Sequence, residues 1–144
     1  MRAALFGPLE PDAAAMGALA ETALVAQYLH APVFRELCFA RWNKGEVDLV
    51  RVDPATQRPT WGLEVKWSDT AHQSGNAWNK LTAFATRTGL STVFMTSRTV
   101  STSQDVGGIR RVVRPLSMLC YEVGRLAASQ ELLRDRDGLP IEPG

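Results

Sequence analysis

At 144 residues the chain is the size of one domain and can bury a core of its own. Hydrophobic residues make up 45% and charged residues 22%, the balance of an ordinary soluble globular protein, and no apolar run approaches the length of a membrane span. A formal net charge of +1 excludes strong whole-molecule attraction to nucleic acid, so any basic surface must be local.

Residues 1–12 read as a leader with Pro8 and Pro11, and their apolar stretch is too short for a secretory signal. Residues 13–29 (AAAMGALAETALVAQYL) predict a helix, with Asp12 able to cap its start and Pro32 beyond its end. A first strand is expected over 33–41, a turn at Asn43-Lys44-Gly45, and a second strand over 46–52. A loop with two prolines (53–59) leads to a third strand over 60–67 (TWGLEVKW). Residues 70–88 predict a helix with Ala77, Trp78, Leu81, Phe84 and Ala85 as its apolar stripe. A fourth strand follows over 91–96, then a Ser/Thr/Gly-rich mobile loop over 97–108 and a short fifth strand over 109–113. A last helix runs from Pro115 to about Leu133, and the remainder is a frayed tail. The order α-β-β-β-α-β-β-α predicts one α/β domain with a mixed sheet flanked by helices.

The third strand carries the chemistry. Alternation puts Trp61, Leu63, Val65 and Trp67 on an apolar face and Gly62, Glu64, Lys66 and Ser68 on a small or polar one. Alone, this pattern also suits a half-exposed strand with Glu64 and Lys66 solvated. In the second strand, alternation sends Glu46, Asp48, Val50 and Val52 one way and Val47, Leu49, Arg51 and Asp53 the other. Asp48 lies between Val47 and Leu49, where a carboxylate needs compensation. If the two strands pair through the 53–59 loop, Asp48 comes beside Glu64, and two such carboxylates call for a proton or a cation between them. The alternative is an ion pair between Asp48 and a lysine or arginine, Lys66 included. On the first helix Glu21 is the only charged residue between Ala13 and Leu29. The helix is apolar nearly all round and therefore reads as buried, so Glu21 needs a partner unless it escapes to solvent on a small polar arc with Thr22. Three carboxylates and a lysine converging would suit a hard cation, magnesium or manganese.

At these residues the chain resembles the PD-(D/E)xK, or restriction-endonuclease-like, nuclease superfamily. The matching pieces are Gly17-x-x-x-Glu21, Gly45-Glu46-Val47-Asp48 and Glu64-Val65-Lys66, over roughly residues 13–115. Val47 stands where the family name has proline. The resemblance implies an αβββαβ core, metal ligands Asp48, Glu64 and Glu21, a catalytic Lys66, a Mg2+ or Mn2+ cofactor, a nucleic-acid substrate (DNA in the first place), and dimerisation in some members; the location expected from the reduced cysteines Cys38 and Cys120 is cytoplasmic. A closer resemblance, carried by Gly17-x-Leu19-x-Glu21, Arg41-Trp42, Gly45-Glu46-Val47-Asp48-Leu49-Val50 and Leu63-Glu64-Val65-Lys66-Trp67-Ser68, is to the nuclease-like domain at the C-terminus of many prokaryotic P-loop ATPases. It implies an ATPase module in cis or trans, although no G-x-x-x-x-G-K-S/T occurs in these residues. The runner-up function is a catalytically silent module that binds nucleic acid or an ATPase partner.

Lesser candidates are Ser68, Lys80 and Arg87 as contacts to a nucleic-acid backbone. Trp61, Trp67 and Trp78 read as core rather than base-stacking residues, and His30 and His72 as surface residues. Cys38 and Cys120 lack metal-ligand spacing and read as reduced, half-buried thiols.

Overall fold

The structure, a computed structural model, describes residues 13–31, 34, 37–43 and 45–137. The expectations for the leader, for Asp12 and Pro32, for the first residues of the first strand, for Lys44 and for the last seven residues fall outside them. The elements are α1 (Ala13–Leu29), β1 (Leu37–Trp42), β2 (Gly45–Val52), β3 (Pro59–Glu64), a 3-10 turn (Ala71–Gln73), α2 (Gly75–Thr88), β4 (Thr92–Ser97), β5 (Thr102–Val106), β6 (Ile109–Pro115) and α3 (Leu116–Asp137). The six strands form one mixed sheet in the order β1-β2-β3-β4-β6-β5. β3, β4 and β6 run parallel, and the remaining neighbours are antiparallel. Among the described residues no helix is long and apolar enough to cross a membrane.

Each face of the sheet buries its own core. α2 lays Trp78, Leu81, Phe84 and Ala85 onto Val47, Val50, Val93, Met95 and Val113. Gly62 permits this approach, since a Cβ there would meet the Phe84 ring at 3.3 Å. On the opposite face α1 and α3 cover Leu49, Leu63 and Val65 with Ala20, Leu24, Tyr28, Leu116 and Val123. Fully burying side chains of this kind contributes about 1.5–3 kcal/mol each.

Three sequence expectations are corrected. The first helix is not buried all round: only the stripe Ala20, Leu24, Tyr28 is, while Ala18, Glu21, Thr22, Ala26 and Leu29 are exposed. Alanine is small enough to face water at little cost, so apolar composition overstated burial. The segment 97–108 is not all loop: it contains β5, joined to β6 by Gly107 and Gly108, both with positive φ (59° and 79°). Two successive left-handed residues make the tight turn that matches strand twist. The third strand ends its ladder at Glu64, so residues 65–67 lie beyond it.

β2 also departs from simple alternation. Cys38 faces Val50 and Ala40 faces Val47, so two residues of β1 span three of β2. This bulge around Asp48 and Leu49 puts Val47 and Val50 in the same core, with Leu49 in the other. The expected grouping of Asp48 with Val50, and of Val47 with Leu49, therefore breaks at the bulge. Bulges of this kind re-aim a side chain where pairing ends.

Candidate active site at the open end of β2 and β3

The β2–β3 ladder stops at Leu49 and Leu63, so Asp48 and Glu64 are the next residues on the two strands. Beyond that point side chains take over from the ladder. Asp48 Oδ2 accepts the Val65 amide at 2.7 Å. Thr96 Oγ1, on β4, accepts the Lys66 amide at 2.6 Å and donates to the Lys66 carbonyl at 2.8 Å. The backbone of Val65 and Lys66 is thus fixed without a strand partner.

Glu64 is 4% exposed. Its Oε1 accepts from Lys66 Nζ at 2.7 Å, whereas Oε2 is buried with no hydrogen-bond partner among the described residues. Burial pushes the Glu64 carboxyl above its ordinary value, and the neighbouring charge of Asp48 adds to this against the hydrogen bond from Lys66. Burial pulls the Lys66 ammonium down, but the hydrogen bond and charge of Glu64, joined by the charges of Asp48 and Glu21, outweigh it and hold the ammonium above its ordinary value. An ion-paired glutamate is usually easier to ionise, not harder. Glu64 binds its proton more tightly than usual because burial outweighs its bond to Lys66, and Lys66 does so because three carboxylates act on it.

The four residues expected from sequence therefore meet electrostatically at one end of the sheet, at unequal depth. Glu21 is exposed, as on the polar arc with Thr22. It does not act as a buried carboxylate, yet it lines an open groove of ≈ 480 Å³ with Val25, Leu29, Phe39, Glu46 and Asp48. Among the described residues no three His, Cys, Asp or Glu side chains form a group that could hold a metal ion. The carboxylates that could hold a cation are Asp48 and Glu64: one buried oxygen of Glu64 has no partner among the described residues, and the charge of Asp48 acts on Glu64 beside those of Lys66 and Lys80. Hard carboxylate donors of this kind suit magnesium or manganese.

The lesser candidates take other roles here. Ser68 Oγ accepts the Thr70 amide at 3.2 Å and shapes the turn after the site. Lys80 pairs with Glu46 at 3.7 Å, and its charge reaches Glu64. Arg87 is exposed on α2. Trp78 is core, and Trp61 is half-buried against Tyr28 and Phe94. Trp67 is half-buried under Arg98. Cys38 and Cys120 are free thiols, and Cys38 is exposed rather than half-buried. His72 is half-buried rather than a surface residue. Thr96 and Glu46 belong to the site without a sequence motif that marks them as site residues. The only local sign of Thr96 is a hydroxyl in the apolar strand TVFMTS, where a buried polar group needs a partner.

Comparison of the chain with protein-family models, with characterised proteins and with solved structures gives no match.

Proposed function

We propose that the chain is a metal-dependent nuclease domain, or one derived from such a nuclease, that hydrolyses phosphodiester bonds of nucleic acid, DNA in the first place. The observation that carries the reading is the Glu64 carboxylate, buried, bonded to Lys66 through one oxygen and left with no partner among the described residues on the other. A side chain of that kind is costly to the fold unless something else binds there. On this reading the run from α1 to β4 is the restriction-endonuclease-like αβββαβ core.

Asp48 and Glu64 would hold Mg2+ or Mn2+, with Glu21 reaching it from the groove wall. The ion would supply Lewis acidity at the phosphodiester and neutralise the paired carboxylates. The protein's own part follows from the clamp on Lys66. Thr96 fixes the lysine backbone and Glu64 fixes its ammonium. A fixed cation stabilises negative charge that develops on a phosphoryl oxygen as water forms a new P–O bond and the bond to the departing alkoxide breaks. The same ammonium orients the attacking water.

A second reading, a catalytically silent module that binds nucleic acid or an ATPase partner, draws on two observations: no three-carboxylate cluster among the described residues, and a net charge of only +1. A plasmid-nicking assay in magnesium and in manganese separates the two. Cutting by the wild type supports the nuclease, and intact plasmid under both metals hands the case to the silent module.

A further inference from the structure

A second pocket lies where the sheet outruns its helix. α2 packs over β2, β3 and β4. β5 is exposed along its length, and Gln104 and Thr102 stand opposite Arg111 and Val113 in the β5–β6 ladder. Between the rim of α2 and these strands is a cavity of ≈ 310 Å³, lined by His72, Gln73, Trp78, Thr102, Gln104 and Arg111. Among the described residues its lining contains no carboxylate.

The walls are built rather than loose. The Trp78 indole N–H donates to the His72 carbonyl at 2.7 Å, and the Arg111 guanidinium lies over the Trp78 ring at 5.3 Å. One terminal nitrogen of Arg111 donates to Thr82 Oγ1 at 2.9 Å. That leaves two ring or guanidine nitrogens, Arg111 Nε and His72 Nδ1, buried without a partner among the described residues. Buried donors are almost always satisfied, and a charged one left bare is especially costly. A guanidinium held in one orientation is the side chain best matched to the oxygens of a phosphate. The amides of Gln73 and Gln104 and the hydroxyl of Thr102 add neutral donors. The cavity volume lies at the lower end of the range for small-molecule sites.

We propose that this pocket binds a phosphate group, free or carried on a nucleotide, independently of the site at Glu64 and Lys66. The test is calorimetric titration of the whole chain with inorganic phosphate, and separately with a nucleoside 5′-monophosphate, at constant ionic strength. Saturable binding of at least one is expected, and which of the two binds tighter identifies the source of the group. Arg111→Gln should weaken binding about tenfold or more, the usual worth of a charge-assisted hydrogen bond. Because Arg111 also packs on Trp78, Gln104→Leu, at the exposed strand, is the second variant, and it should weaken binding with the fold intact. Lys66→Met should bind as the wild type does. The proposal is overturned if neither ligand binds saturably, if folded Arg111→Gln and Gln104→Leu bind like wild type, or if Lys66→Met abolishes binding.

Discussion

Thr96 Oγ1 bonds both the amide and the carbonyl of Lys66, so one hydroxyl on β4 replaces the strand partner that Lys66 lacks. Thr96 is 1% exposed and cannot be exchanged for water without opening the core. The position of the lysine is therefore set by a residue 30 positions away in the chain.

Thr96→Val keeps shape and removes both bonds. Leaving part-buried backbone groups bare costs about 1–3 kcal/mol. A lowered melting temperature is expected for Thr96→Val, and Thr96→Ser should recover most of it because the hydroxyl returns. Equal melting of all three proteins would mean that the clamp contributes nothing.

Much of this architecture was legible in the sequence, and the parts that were not have physical causes. α2, β2 and β4 announce themselves through periodic or continuous apolar residues. β5 (Thr-Ser-Gln-Asp-Val) buries no face, so it carries no hydrophobic signal, and only the Gly107-Gly108 pair beside it marks a hairpin. The Asp48–Glu64–Lys66 grouping was readable because it follows from hairpin pairing and spacing by two. Its supporting bond from Thr96 was not, because nothing local links residues 66 and 96. Glu21 lies shallower than its helix's composition predicts, because a run of alanines looks buried and is not.

Asp48→Asn separates structure from metal. An asparagine carbonyl can still accept the Val65 amide that Asp48 Oδ2 accepts at 2.7 Å, so the fold should survive. A divalent ion that binds only the folded protein stabilises it by about 2.7 kcal/mol at a hundredfold excess over its dissociation constant. Manganese should raise the melting temperature of the wild type and not that of Asp48→Asn. Glu21→Gln should blunt the shift only partly, as expected of an exposed residue at the groove wall. Identical shifts in wild type and Asp48→Asn would place the ion elsewhere.

The raised Glu64 carboxyl has a pH consequence. A carboxyl harder to ionise when folded than when unfolded binds more protons in the folded state, so stability falls as pH rises through the window between the two values. The penalty is complete above the folded value and absent below the unfolded one. Without metal, Glu64→Gln should therefore melt higher than wild type at neutral pH, with the difference shrinking as the solution is acidified. Chemical or thermal melts of both proteins across the acid range measure it. A Glu64→Gln protein less stable than wild type at neutral pH would show that the pair with Lys66 outweighs burial.

Lys66 offers the sharpest test of catalysis. Its ammonium is held by Glu64 Oε1 at 2.7 Å, and its charge is felt by a carboxylate whose other oxygen has no partner among the described residues. Lys66→Ala removes the cation that would stabilise charge on the phosphoryl oxygen, and removal of a charged stabilising group of this kind costs on the order of a hundredfold to a thousandfold in rate. The same change leaves Asp48 and Glu64 without the cation that is hydrogen-bonded to Glu64. Affinity for a divalent ion should then be retained or increased. Lost cutting, retained fold and retained manganese response together identify a lysine that acts on the reaction rather than on the site. The measurements are plasmid nicking over time and melting temperature with and without manganese, on wild type and Lys66→Ala in parallel. Undiminished cutting by Lys66→Ala would remove the lysine from the mechanism. Lost cutting together with a lost manganese response would make Lys66 a structural support of the metal pair instead.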